Sequence, residues 1–351
     1  MGSKFTVKVG NLIIGGNNPV VVQSMVKTDS HDTKGVIREI KEVEKYRCEL
    51  IRISVPDMDV AKSIRKIKND INIPLVADIH FDYRLALESM KQGIDKIRIN
   101  PGNIGPEWKV REVVRVAKDN SVPIRIGLNS GSLPRDIIRE YGRDSPIGFV
   151  RSMEREVEVL ESMNFRNIVL SAKSPYPSVV IKTYELMSRK FPYPLHLGVT
   201  EAGLPISSAV RSTIAFYELL KQGIGDTIRV SLTGKSFVEI EVGYEILRSL
   251  GLRKDFPYLI VCPGCGRKEI DVESLAEKIK EGIKGLRKDI KIAVMGCPVN
   301  GPGEAKDADI GIAGGKVTLL FKKGKVFFKG KEKEALRIMM DLLKRPVEGE
   351  S

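Results

Sequence analysis

Eight short apolar runs recur along the first two thirds of the chain, each followed by a stretch able to form a helix. They cover residues 20–25, 50–55, 75–80, 96–100, 124–129, 167–173, 195–200 and 227–233. Eight strand–helix units in a stretch of this length predict a TIM (β/α)8 barrel. A short hairpin over 6–9 and 12–14, turning at Gly10-Asn11, precedes it. After the eighth strand a helix around 237–250 ends near Gly251, and a linker through Pro257 follows. The expected architecture is α/β, a barrel over 1–250 and a smaller α/β domain over 251–351. A chain of 351 residues has the length for two such cores.

The strand ends carry an unusual pattern. Residues two apart on a strand share one face, and the pairs read Arg52 and Ser54, Asp78 and His80, Arg98 and Asn100, Ser171 and Lys173, Arg229 and Ser231. Arg125, Asn129, Thr200 and Glu201 extend the set. In a barrel of this kind the carboxyl ends of the strands form the catalytic face. Arg52, Arg98, Arg125, Lys173 and Arg229 would together make a positive well suited to a diphosphate, whose oxygens match the planar fork of arginine. Any one of them also reads as half of an ion pair, Arg52 with Asp78 for example. Asp78 and Glu201 are too few to neutralise all five, so the set favours an anionic ligand. Asp78 is placed to fix the tautomer of His80. Glu201 is the acid/base candidate, pulled up by a bound diphosphate and down by its cationic neighbours.

The second region of chemistry spans residues 262–304. Cys262-Pro263-Gly264-Cys265 follows a run over 258–261, and Gly296-Cys297 follows one over 292–295. Both runs read as buried strands, with a helix between them over 271–286. Were the strands parallel neighbours, Cys297 would come to the Cys262/Cys265 pair. A structural zinc site takes four Cys or His ligands, whereas His31, His80 and His196 all lie far upstream. Three thiolates around an iron-sulfur cluster fit better, with the loop of Gly296, Pro298, Gly301, Pro302 and Gly303 presenting Glu304. Cys48 reads as a small buried hydrophobe.

Bulk properties narrow the partners. The net charge of +13 points to an acidic partner or to a solvated Lys/Glu-rich surface. The local excess of Lys322, Lys323, Lys325, Lys329, Lys331 and Lys333 surrounds a hairpin with Gly324 at its turn. Such a surface suits an acidic electron carrier. No apolar run reaches membrane-spanning length, and the amino terminus lacks the pattern of a signal peptide. A cytoplasmic protein without membrane partner is expected.

Cys-Pro-Gly-Cys-Gly-Arg at 262–267 with Gly-Cys-Pro-Val-Asn-Gly-Pro-Gly-Glu at 296–304 resembles the 4-hydroxy-3-methylbut-2-enyl diphosphate synthase family. Ala-Asp-Ile-His at 77–80, Arg-Ile-Asn-Pro-Gly-Asn at 98–103, Asn-Ser-Gly-Ser-Leu at 129–133, Thr-Glu-Ala-Gly at 200–203 and Arg-Val-Ser-Leu-Thr at 229–233 extend the resemblance through the barrel. Ser174-Pro175-Tyr176 departs from it, standing where Ala-Ser-Asp is usual. The resemblance implies reductive ring opening and dehydration of 2-C-methyl-D-erythritol 2,4-cyclodiphosphate. It implies a 4Fe-4S cluster on Cys262, Cys265, Cys297 and Glu304, and ferredoxin or flavodoxin as donor. It also implies a head-to-tail homodimer with one subunit's cluster over the other's barrel. The competing reading is a zinc-containing barrel protein that binds RNA through its lysine-rich hairpin. A second alternative is a pterin-binding barrel, which has no use for Cys297 or Glu304.

Overall fold

The computed structural model describes residues 2–297, 303 and 305–345. The chain divides into two compact units, Met1–Leu252 and Arg253–Ser351. In the first, β1 (Thr6–Val9) and β2 (Leu12–Gly15) form an antiparallel hairpin. The barrel strands are β3 (Val21–Met25), β4 (Leu50–Val55), β5 (Leu75–Ile79), β6 (Lys96–Ile99), β7 (Ile124–Asn129), β8 (Ile168–Lys173), β9 (His196–Leu197) and β10 (Thr227–Ile228). They run parallel in the order β8-β7-β6-β5-β4-β3-β10-β9. A bridge between Leu170 and Leu195 joins the two ends. This is the TIM barrel expected from the alternation of strands and helices.

Every residue of β5, β6 and β8 is buried, because helices cover the outside of the barrel. The helix Met58–Asn69 shows how these helices are placed. The Asp57 carboxylate accepts from the Asp59 and Val60 N–H groups at its start, and Val60, Ala61, Ile64 and Ile67 form its buried stripe. The hairpin closes the amino ends of the strands. Val7, Val9 and Ile14 pack on Val21, Leu50, Val76 and Val169 as one apolar seal.

Strands seven and eight are shorter than expected, two residues each in place of 195–200 and 227–233. Beyond Leu197 and Ile228 the backbone leaves the ladder for loop partners. Thr200 N–H donates to the Ser174 carbonyl and Thr233 N–H to that of Gly203. Gly198 lies where the ladder stops, and a Cβ there would fall 2.5 Å from Lys173 Nζ. Among the described residues no helix is long and apolar enough to cross a membrane.

The second unit is a five-stranded sheet in sequence order. It contains β11 (Tyr258–Val261), β12 (Lys291–Met295), β13 (Ile310–Ala313), β14 (Thr318–Lys322) and β15 (Lys325–Gly330). The first three are parallel and the last two antiparallel. The helices Val272–Gly282 and Glu332–Lys344 cover one face through Leu275, Ile279, Ala335 and Met339. β11 is not the buried strand that its apolar run suggested. It forms the edge of the sheet, with Tyr258 36% and Val261 40% exposed. The lysine-rich hairpin is present, turning through Lys323 and Gly324 at φ 45° and 76°, the left-handed pair a two-residue hairpin favours.

Candidate active site

At the carboxyl ends of the barrel strands lies a cavity of about 240 Å³. Arg52, Arg98, Arg125, Lys173 and Arg229 all line it, as do Asp78, His80, Asn129, Thr200 and Ser231. Residues scattered over 180 positions of sequence meet because they face inward on the barrel strands or on the loops just beyond them. Glu201 is absent from the lining. It is exposed on the loop beyond Thr200, with φ at +50°, a left-handed conformation that costs a non-glycine residue energy.

Two carboxylates organise the cations. Asp78 Oδ1 accepts from Arg98 Nη1 at 2.9 Å, and its Oδ2 lies 3.5 Å from Arg52 Nε. Burial works to raise the Asp78 pKa, but Arg52 and then Arg98 outweigh it and hold the carboxyl well below its usual range. Arg98 Nη2 donates to the Gly127 carbonyl at 2.9 Å. Glycine is needed at that position, since a Cβ would stand 2.6 Å from Arg98 Nε.

The second carboxylate is Glu239 in the helix Ser236–Ser249, not Glu201 as the strand-end pattern implied. It accepts from Arg229 Nε and Nη2 at 3.2 and 3.1 Å, from Lys27 Nζ and Ser24 Oγ at 2.8 Å, and from Leu232 N–H at 3.3 Å. Among the described residues Arg125 and Lys173 are then left without a carboxylate. Burial, followed by Arg229 and Arg125, pushes Lys173 well below the usual lysine range.

His80 stands at the rim, its Nε2 2.9 Å from Arg98 Nη1. A guanidinium has no acceptor, so Nε2 accepts and the ring proton sits on Nδ1. Arg98 therefore fixes the tautomer, while Asp78 Oδ1 lies at 3.6 Å. Asp144, which the strand-end pattern did not single out, ties two loops of the site together. It accepts from Ser130 Oγ at 2.6 Å and Ser174 Oγ at 2.8 Å. The unusual Ser174 thus anchors the chain next to Lys173. Asn100-Pro101-Gly102-Asn103 forms a helical turn, Pro101–Ile104, in which Asn103 N–H bonds the Asn100 carbonyl.

In the second unit, β11 and β12 pair with Val261 level with Val294, which brings Cys262 beside Gly296 and Cys297. Cys262 N–H donates to the Val294 carbonyl, and Gly296 N–H donates to Cys262 Sγ at 3.1 Å. A Cβ on Gly296 would lie 2.8 Å from Val272 Cγ2 and 3.4 Å from that sulfur, so the close approach requires glycine. Cys265 is exposed, and backbone and side-chain hydrogen bonds from Arg267 hold its thiol below the ordinary value. All four cysteines are free thiols. Among the described residues no three or more metal-binding side chains already form one ligand set. Glu304 lies outside the described residues. The donors present, soft thiols on adjoining strand ends with a sulfur already accepting an N–H, have the chemistry an iron-sulfur cluster takes.

Solved structures of dihydropteroate synthases share the barrel. Those from Yersinia pestis and Coxiella burnetii each match at a TM-score of 0.50, over 71% of this chain and 100% of theirs. Their identities of 14% and 12% make this a likeness of fold alone. Sequence relatives are much nearer. A protein of Caldanaerobacter subterraneus subsp. tengcongensis named 4-hydroxy-3-methylbut-2-en-1-yl diphosphate synthase (flavodoxin) is 50% identical, covering 98% of this chain and 97% of its own. One of that name from Thermodesulfovibrio yellowstonii is 48% identical, covering 97% of each. The GcpE TIM-barrel domain matches residues 4–244 and the GcpE protein C-terminal domain residues 258–345. Matched in both of its units, the chain belongs to the GcpE family.

Proposed function

We propose that the chain reduces 2-C-methyl-D-erythritol 2,4-cyclodiphosphate to 4-hydroxy-3-methylbut-2-enyl diphosphate. The reaction takes two electrons and two protons, opens the cyclic diphosphate and releases one water. The observation that carries this reading is the cavity, where five cationic side chains converge and, among the described residues, only Asp78 and Glu239 balance them. Arg52, Arg98, Arg125, Lys173 and Arg229 bind the diphosphate, and Asn129, Thr200 and Ser231 give neutral hydrogen bonds. Asp78 keeps the forks of Arg52 and Arg98 aimed inward. His80, with its proton on Nδ1, orients a substrate hydroxyl at the rim. Glu201, on the loop beside Thr200, holds and delivers a proton once that loop faces bound substrate.

Cys262, Cys265 and Cys297, with Glu304 as fourth ligand, would hold a 4Fe-4S cluster. Such a cluster supplies electrons one at a time. The donor is flavodoxin, named in the relatives, or ferredoxin, and the working form is a homodimer. No finding favours the zinc-containing RNA-binding alternative.

Oxygen-free purification followed by iron, sulfide and zinc analysis tests the cofactor, with about four irons per chain expected. Turnover of the cyclodiphosphate with reduced flavodoxin, followed by phosphorus NMR, tests the reaction. Zinc in place of iron, or an unchanged substrate spectrum, would refute the reading.

A further inference from the structure

The barrel interior remains polar beneath the cavity. Gln23 on β3, Lys96 on β6 and His196 on β9 have no exposure, and Arg125 on β7 has 1%. Lys96 pairs with Val76, a member of the apolar seal, while one step higher Arg98 pairs with Asp78 at the cavity. His196 pairs with Thr227, which pairs with Val21 of the same seal. Gln23, Lys96 and His196 are therefore in register with residues of the seal, below the cavity, whereas Arg125, paired with Arg98, lines the cavity itself. Among the described residues Lys96 Nζ, both amide atoms of Gln23, His196 Nε2, and Arg125 Nε and Nη1 have no hydrogen-bond partner.

Charge makes Lys96 the critical member. The charged groups that bear on it are Arg125 from β7 and Arg52 from β4, and it bears in turn on the His196 ring from β9. Asp78 on the adjoining β5 is engaged by Arg98 and Arg52. A buried ammonium without hydrogen bonds or counter-ion is strongly disfavoured. Guanidiniums cannot relieve the excess charge, because they do not deprotonate in proteins. An amine can. Burial, then Arg125 and Arg52, push Lys96 well below the usual lysine range.

We propose that Lys96 is a charge-compensating positioning residue, an uncharged amine in the free protein that takes a proton from solvent when a diphosphate fills the cavity above it. The inference rests on the diphosphate reading of that cavity. An incoming polyanion offsets the arginine field that keeps the amine neutral, so binding and protonation favour one another. Diphosphate affinity then weakens as pH rises, and the proton leaves with the product.

Isothermal titration calorimetry of inorganic pyrophosphate into the full chain, in buffers of different ionisation enthalpy, counts the protons exchanged on binding. The wild type should take up about one proton more than Lys96→Met and Lys96→Gln, both of which should still bind. Equal counts in the three chains overturn the inference while leaving the cavity reading intact. Binding of neither pyrophosphate nor the cyclodiphosphate, without reductant, overturns both. If pyrophosphate behaves as expected and the cyclodiphosphate does not bind, only the substrate assignment falls. Nitrogen-15 NMR of lysine side chains in a Lys173→Met background decides the matter should the Lys96 variants not fold. A neutral amine signal in the free chain is expected, and a spectrum of ammonium groups alone overturns the proposal.

Discussion

Replacing Glu239 by Gln tests whether the cavity's cations are held by the carboxylates assigned to them. The side chain keeps its shape and loses its charge. With the amide oxygen in the place of Oε1, the bonds from Lys27, Arg229 Nη2 and Leu232 N–H survive. The amide nitrogen then faces Arg229 Nε, replacing an acceptor at 3.2 Å by a second donor. A hydrogen bond to a charged group contributes about 1.5–3 kcal/mol, and stripping the counter-charge from a buried pair costs about 3–5 kcal/mol. We expect a loss of roughly 3 kcal/mol, since three of the bonds persist in weaker form. For a unit of this size that lowers the barrel Tm by roughly 6–12 °C. Burial opposes the charge on Glu239, and Arg229 with Lys27 overcomes it, so the carboxyl sits below its ordinary 4.5. The stabilisation is therefore present above that pH and lost as pH falls below it. Calorimetry at neutral and acidic pH, with a pyrophosphate titration, measures both consequences. A Tm within about 2 °C of wild type at neutral pH would refute the assignment of Glu239 as the anchor of Arg229.

Gly198→Ala places a methyl group 2.5 Å from Lys173 Nζ and should displace that ammonium with the fold intact. Pyrophosphate affinity should drop about 10- to 100-fold, the equivalent of one charged hydrogen bond, when measured by titration. Glu201→Gln should abolish turnover yet leave iron content and pyrophosphate affinity unchanged; normal turnover would remove Glu201 from proton transfer. Burial pushes Glu156 up to about 7, with Arg155 opposing. The folded chain thus keeps a proton that the unfolded chain releases, and stability should fall by roughly 3 kcal/mol as pH rises from about 4.5 to 7. Glu156→Gln should flatten that slope in denaturant titrations.

The barrel was legible because each strand announces itself as a compact apolar run, and residues two apart necessarily share a face. That rule alone found eight of the residues lining the cavity. It missed what neighbouring elements contribute. Glu239 looks like a solvent-facing acid in a helix, yet it shares the buried face of Ile240, Gly243 and Leu247, and an acid in such a stripe is itself a sign of a buried cation. Lys96 opens its strand, where a charge ordinarily marks an exposed end. Its spacing of two from Arg98 placed it on the inward face all the same. Glu201 is a different case. Thr200 lines the cavity, while Glu201 is exposed on a turn at positive φ, and no periodicity reports such a turn.

The carboxy-terminal lysines show why charge density along a sequence is a poor map of a surface. Six of them within twelve positions suggest one patch, but a hairpin sends its two ends in opposite directions. Lys323 N–H bonds the Ala308 carbonyl just before β13, which puts the turn with Lys322 and Lys325 at the amino ends of the parallel strands. Gly330 pairs with Thr318, at the end where Gly314 N–H bonds the Met295 carbonyl beside Cys297. Lys329, Lys331 and Lys333 therefore lie at the cysteine end of the sheet, and the lysines around the turn do not. Electron transfer rewards proximity, whereas long-range attraction fades over about 8 Å in physiological salt. An acidic carrier that docks to reduce thiolate-held iron should thus respond to charge reversal at Lys331 and Lys333 and be indifferent to reversal at Lys323 and Lys325.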